Sequence, residues 1–454
     1  LRASRAKLPL LALAVAILLA APASAGERGS EPFFPYAGNS GYDADSYHVN
    51  LAFRPSSGRI RAVTTIRAQA TQGLRRFGLD FVGPRVSRIL VDGQPAAFQR
   101  TASKLRIDPP RRIPPGARFT VLVRYAGVPP RVTDPDGSQE GWYRTEDGAF
   151  GVGEPQGTAA WIPCDNVPYD KASFRFDLSV PTGLRAVANG RLTGVERGGG
   201  RSHYSWVETA PMSTYLAVVD IGRGRLVKSR AGKLPAWTLV DPRLARGSRG
   251  PLAQLPEIID FERRAFGAYP FATAGSIVDW APKLGYALET QSRPIYPYVP
   301  DVTTIVHETA HQWFGDSVGL KRWPEIWLNE GFATWMQWYY AEHHGGRTAH
   351  AIFDRLYRVP AADTEFWDPP PARPGSPRHL FGTSTYVRGA MAIEALRQAI
   401  GTGPLLRVFR TWVLEHRHGS GDIPEFISLC EEVSGRNLGP LFRRWLYQRG
   451  KPRR

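Results

Sequence analysis

The chain has 454 residues, of which 42% are hydrophobic and 22% charged, a composition with room for two or three cored domains. That excludes a disordered chain, a collagen and a coiled-coil rod, and the 46 glycines and 39 prolines favour many short strands and turns over long helical bundles. The formal charge is +17, with 50 of the 58 basic residues Arg; these are spread along the whole length without a basic cluster interleaved with aromatics, so no nucleic-acid surface is expected.

In chain order, the first 25 residues have the layout of an export signal. Arg2, Arg5 and Lys7 supply a basic start, Leu8 to Ala20 an apolar core, and Ala23-Ser24-Ala25 a small-residue cleavage site. An apolar core of this length falls short of the roughly 20 residues needed to cross a bilayer, so stable membrane insertion after cleavage is not expected. The mature chain is expected to start at Gly26, to be secreted, and to carry a flexible lead over 26–41.

From about Tyr47 to Val219 the apolar period is two. Tyr47, Val49, Leu51 and Phe53 alternate with polar neighbours, as do Phe119, Val121, Val123 and Tyr125, and Phe174, Phe176, Leu178 and Val180. Turn signals such as Asp92-Gly93 and Asn189-Gly190 separate several of these half-buried strands. The pattern predicts an antiparallel sandwich or saddle-shaped sheet.

After about Arg223 the spacing shifts to three and four. Leu252, Leu255, Ile258, Ile259 and Phe266 mark a helix that Gly267 ends, and further helices are predicted near 301–315, 324–344, 389–400, 405–416, 424–433 and 438–448. A proline-rich loop interrupts them from Asp368 to Pro377. Aromatic residues at helical spacing, Trp313, Phe314, Trp323, Trp327, Phe332, Trp335 and Trp338, are expected to be core. Two cysteines, Cys164 and Cys430, are too few for a disulfide framework, and one bridge or two free thiols both fit.

His307-Glu308-Thr309-Ala310-His311 carries the most chemistry. On a helix, imidazoles four residues apart return to one face and can bind one metal ion, with Glu308 beside them. Independent placement gives this pattern in roughly one such chain in a hundred, so it needs a second support. Glu330 provides it, nineteen residues after His311 in a second amphipathic run. Two antiparallel helices joined by a short turn would bring its carboxylate over the imidazoles. Two His and one Glu with a fourth position open is a catalytic zinc set. Neither cysteine is near in sequence, which excludes a thiolate site, although other first-row metals fit the same ligands. Zinc acidifies water toward neutrality and polarises a carbonyl, and Glu308 is the candidate base for the water's proton.

His307 to His311 followed by Glu330 in Leu-Asn-Glu-Gly-Phe-Ala resembles the gluzincin aminopeptidases, the family of aminopeptidase N and leukotriene hydrolase. Gly153-Glu154-Pro155, Trp161-Ile162-Pro163-Cys164-Asp165-Asn166, Asp170-Lys171-Ala172 and Asn189-Gly190 are similar to that family's amino-terminal sheet domain in order and spacing, and Tyr386-Val387-Arg388-Gly389 to its tyrosine motif. Gly285-Tyr286-Ala287-Leu288-Glu289-Thr290 stands where the family carries G-x-M-E-N, an edge strand that receives the substrate backbone. There Leu288 replaces the methionine, Tyr286 the glycine and Thr290 the asparagine. Arg388 stands where lysine is more usual.

The resemblance implies an α+β multidomain protein: an antiparallel β saddle or sandwich domain over 42–223, then a thermolysin-like zinc metallopeptidase domain over 224–450, with the cleft between them. It implies one zinc ion on His307, His311 and Glu330, catalysis by Glu308 with Tyr386 on the oxyanion, and Glu154 and Glu289 on the free α-amine of a peptide substrate. A cationic terminus fixed one residue from the metal makes an exopeptidase. The chain spans the first two domains of the family's architecture, so a more open site that admits longer peptides is expected. An endopeptidase with the same metal, and a non-catalytic peptide-binding scaffold, are the other classes compatible with the motifs.

Overall fold

The alternation of the first half becomes an eight-stranded sheet. In the computed structural model, which describes residues 29–453, five long strands form its centre in the order Arg201–Ser213, Lys171–Pro181, Tyr42–Arg54, Arg59–Ala70 and Arg118–Gly127. Val49, Leu51, Phe53, Val121, Val123, Tyr125, Phe174, Phe176, Leu178 and Val180 all lie on the inner face, none more than 1% exposed. A five-stranded sheet, Arg185–Ala188, Val219–Gly222, Ala149–Val152, Gln139–Arg144 and Arg131–Thr133, packs against it. Phe53 of the large sheet meets Trp142 of the smaller at 6.2 Å. One pairing departs from the antiparallel expectation: Tyr42–Arg54 runs parallel to Lys171–Pro181, with Val49 opposite Phe176. A period of two tells which face is buried, not which distant strand lies alongside.

The expected leader, residues 1–25, lies outside the described residues. Residues 29–41, expected as a flexible lead, have no helix or strand but are packed down. Phe34 sits edge-on to Trp323 at 5.9 Å, and the Gly38 and Asn39 amides donate to the carboxylates of Asp80 and Asp165 at 2.8 and 2.7 Å. Backbone groups that find buried acceptors, together with an aromatic anchor, hold a segment that has no periodicity to announce it.

The second half opens with a four-stranded sheet, Arg225–Ala231, Leu234–Val240, Ala274–Val278 and Ile295–Tyr296, in which only the first pair is antiparallel. The helices are α1 (Ala245–Ala253), α2 (Leu255–Phe266), α3 (Val302–Ala310), α4 (Trp327–His343), α5 (Ala349–Tyr357), α6 (Thr364–Trp367), α7 (Gly389–Ile400), α8 (Thr402–Glu415), α9 (Ile423–Ser434) and α10 (Gly439–Phe442). Asp301 caps α3 by accepting the Thr304 amide at 2.7 Å. The helix ends at Ala310, short of the expected Gly315, and tight turns carry the chain on, with Asp316 N donating to His311 O at 2.9 Å. The aromatic run is core as expected, with Trp313, Trp327, Phe332 and Trp335 fully buried. Cys164 and Cys430 are both buried and unpaired. Among the described residues, no helix is long and apolar enough to cross a membrane.

Candidate active site

α3 and α4 pack together and turn His307, His311 and Glu330 toward one point. His307 Nε2 and His311 Nε2 stand 3.2 and 3.4 Å from the same Glu330 oxygen, Oε2. A tetrahedral zinc with bonds of about 2.0–2.1 Å holds its ligands about 3.3 Å apart, so these edges fit such an ion. His311 Nδ1 lies 3.0 Å from the Phe314 carbonyl; the proton it donates there leaves Nε2 free as a ligand atom.

The electrostatics also ask for a cation. Burial would raise the Glu330 carboxyl, yet the charge of His311 and hydrogen bonds from both imidazoles hold it at about 2. Burial disfavours a charged His311, but Glu289, Glu330 and Glu308 outweigh it and push the imidazole well up.

A cleft of about 410 Å³ opens in front of the three ligands, lined by residues of both domains: Glu154 and Ser138 from the first, Tyr286, Glu289, Glu308 and Tyr386 from the second. Glu154 and Glu289 each keep a buried oxygen, Oε1, without a hydrogen-bond partner. One oxygen from each of these two and one from Glu330 lie within 4.8 Å of one another. Burial first, then the nearness of Glu289 and Glu330, pushes the Glu154 carboxyl well up. Two buried carboxyl groups, each with an unpartnered oxygen, can receive an ammonium group in this space.

Tyr386 lies on a π-helical turn, Ser384–Arg388, that leads into α7. Its ring lies 6.1 Å from that of His307 at an interplanar angle of 20°. Burial, reinforced by Glu330 and Glu154, pushes the phenol well above its usual range, so it remains a hydrogen-bond donor. The glycines of the two motifs explain how it arrives there. A Cβ on Gly331 would lie 3.0 Å from the Gly389 carbonyl carbon, and one on Gly389 would lie 3.1 Å from Gly331 Cα. α4 and α7 therefore approach backbone to backbone, which brings Glu330 and Tyr386 to one cleft.

Two family domains match this chain. The peptidase M1 N-terminal domain matches residues 44–216, and the peptidase family M1 domain matches residues 292–445. The chain belongs to peptidase family M1. It is 23% identical over 438 residues to the leucyl aminopeptidase of Saccharolobus solfataricus, covering 89% of this chain and 53% of the relative. It is 24% identical over 319 residues to probable aminopeptidase 2 of Sulfurisphaera tokodaii, covering 64% and 40%. The chain thus spans about half or less of the length of these curated relatives. Among solved structures, the M1 zinc metallopeptidase from Deinococcus radiodurans superposes with a TM-score of 0.85 at 27% identity, over 93% of this chain and 97% of that one. A mutant of a two-domain M1 zinc metallopeptidase bound to L-arginine gives the same score and identity.

Around this M1 site the structure adds residues that the motifs do not reveal. Gln312 Nε2 donates to the Glu289 carbonyl at 2.8 Å, and its Oε1 accepts the Ser292 amide at 2.6 Å. Asn189 Nδ2 donates to the Gln291 carbonyl and the Gly190 amide to Ser292 Oγ, at 2.9 and 2.8 Å. Together they fix the segment behind Glu289. That segment was expected as an edge strand; it makes a single antiparallel bridge, Leu288 to Ile295. Tyr286, in the family's glycine position, donates across the domain junction to the Gln139 carbonyl at 2.8 Å. Tyr298 and Phe381 complete the cleft wall.

Arg388 has a definite role. Its guanidinium is fully buried, and Nε, Nη1 and Nη2 donate to five carbonyls, those of Trp367, Arg444, Trp445, Gln448 and Gly450. Five N–H groups meet five acceptors. A lysine has three donors and would leave at least two of these carbonyls unpaired. At ~1–3 kcal/mol for each unpaired buried group, Arg388→Lys is expected to destabilise the protein by about 3 kcal/mol, measured as a lower midpoint in urea unfolding.

Proposed function

We propose that the protein is an exported zinc aminopeptidase that removes residues one at a time from the free amino end of peptides. The observation that carries this reading is the pair of unpartnered buried carboxylates, Glu154 and Glu289, beside the three metal-binding side chains in one cleft. His307, His311 and Glu330 would hold the zinc. When bound, it supplies Lewis-acid chemistry, lowering the pKa of a water and polarising the scissile carbonyl.

The protein's own groups do the rest. Glu154 and Glu289 receive the substrate ammonium and so set which peptide bond meets the catalytic residues. Glu308 takes a proton from the attacking water as its oxygen bonds to the carbonyl carbon, and then passes that proton to the amide nitrogen as the C–N bond breaks. Tyr386 donates a hydrogen bond to the oxyanion that forms between these steps. The products are a free amino acid and a peptide shorter by one residue.

Glu289→Gln tests the reading against an endopeptidase. Losing one partner of a desolvated charge pair costs roughly 2–5 kcal/mol, so kcat/KM on a free-amine peptide is expected to fall about 10²-fold. Cleavage of the same peptide after amino-acetylation is expected to be negligible with either protein. Equal rates on free and acetylated peptides would make the protein an endopeptidase. The export part rests on Arg2 to Ala25, and is checked by finding the activity in culture medium on a chain that starts at Gly26.

A further inference from the structure

A second acidic cluster lies at the domain junction, and none of its members lines the cleft. Leu234–Val240 and Ala274–Val278 are parallel neighbours with Val240 opposite Val278, so the next residues, Asp241 and Asp279, emerge side by side. The Asp241 amide donates to the Val278 carbonyl at 2.8 Å, which fixes that placement. The first domain brings Asp220, from strand Val219–Gly222, and Asp147, from the turn between Gln139–Arg144 and Ala149–Val152. One oxygen from each of Asp147, Asp241 and Asp279 lies within 4.8 Å of the others.

Asp220 is the independent observation. It is 0% exposed, no N–H or O–H donor of another side chain or of the backbone reaches its carboxylate oxygens or Asp279 Oδ2, and it lies within hydrogen-bond reach of the Asp279 carboxyl. The charges that act on it most strongly are those of Asp279, Asp147 and Asp241, all of its own sign. Arg243 neutralises part of the cluster: it forks onto Asp241, reaches Glu146 at 2.7 Å and stands 3.9 Å from Asp147. Asp220 and Asp279 remain without a counter-charge among the interactions of the described residues. A buried carboxylate in that position needs a proton or a cation.

We infer that Asp147, Asp241 and Asp279 form a calcium site that joins the two domains, with Asp220 beside it adding negative charge. The donors are all carboxylate oxygens, which suits a hard cation over zinc. Calcium bonds of about 2.3–2.6 Å allow ligand oxygens on opposite sides to stand up to about 5 Å apart, whereas magnesium at about 2.0–2.1 Å needs a tighter set. A set of three carboxylates suits calcium, because magnesium usually keeps several waters and takes only one or two carboxylates. Because Asp147 comes from the first domain and Asp241 and Asp279 from the second, bound calcium opposes separation of the two.

The test uses zinc-loaded protein, so that the active-site ligands are engaged. Titration with CaCl2 in a calorimeter is expected to give one ion per chain, and saturating calcium to raise the unfolding midpoint by about 3 °C. Trp280 adjoins Asp279, so terbium, a calcium mimic, is expected to luminesce on indole excitation. Asp147→Asn and Asp279→Asn are both expected to abolish all three signals while leaving calcium-free peptide hydrolysis unchanged. No heat and no shift in the wild type would overturn the site. So would binding that survives Asp279→Asn but disappears in Glu154→Gln, which would put the ion in the cleft. Stability that declines as pH rises toward 7, with no response to calcium, would show that Asp220 and Asp279 share a proton instead.

Discussion

Glu308→Gln is expected to keep its zinc and lose peptide hydrolysis, with kcat lower by about 10³-fold or more and KM little changed. The amide has nearly the volume of the carboxylate, so α3 and the metal-binding side chains should be undisturbed, but it cannot accept the proton of the attacking water. General-base catalysis contributes ~10²–10⁴-fold. The upper part of that range is apt because Glu308 is only 6% exposed and lies in the wall of the same cleft as the three ligands. Metal analysis alongside single-turnover hydrolysis separates the two properties. A variant that lost zinc and activity together would make Glu308 a structural support, and one that kept both would remove it from the reaction.

Tyr386→Phe should give the second largest effect. Removing one oxyanion donor costs ~2.7–4 kcal/mol in other acyl-transfer enzymes, or about 10²–10³-fold in kcat. The phenol and the ring that replaces it share the same stacking on His307, so folding and metal binding should survive. KM is expected to stay within about twofold, because the bond strengthens only as charge develops on the carbonyl oxygen. A rise in KM at constant kcat would instead give Tyr386 a role in substrate binding.

The parts of the protein legible in the sequence are those in which chemistry and periodicity coincide. Two imidazoles at a helical spacing and a carboxylate on the next long helix define the candidate metal set without coordinates, and the alternation through Val49, Phe176 and Val123 gives the first domain its buried face. What stayed hidden depends on distant partners. Nothing local in Gln312 says that it will bind the Glu289 carbonyl, and Asn189-Gly190 reads as a turn although it also anchors Gln291 and Ser292. α1 was missed because its nine residues include Gly247, Gly250 and Pro251, which ordinarily break a helix. α5 buries only Ala349 and Phe353, too few for a period to emerge. Arg388 differs from the usual lysine of its motif, and only the five carbonyls that converge on it give the reason.

The cleft is assembled from two pieces of chain whose buried residues join in one continuous core. Glu154 comes from one, and Glu289 with His307, His311 and Glu330 from the other, so on the proposed reading one half of the amine receptor is a mark carried on a different piece from the metal. Lys171, which donates to the Asp316 and Ser317 carbonyls at 2.8 and 3.0 Å, and Tyr286 on Gln139 are two of the pins that set the position of that mark. A slip at either pin would leave each piece folded and His307, His311 and Glu330 together, yet on the proposed reading it would misjudge where a peptide begins. Damage far from the reacting atoms would then register as an error of measurement, with substrates of the wrong length cut or refused.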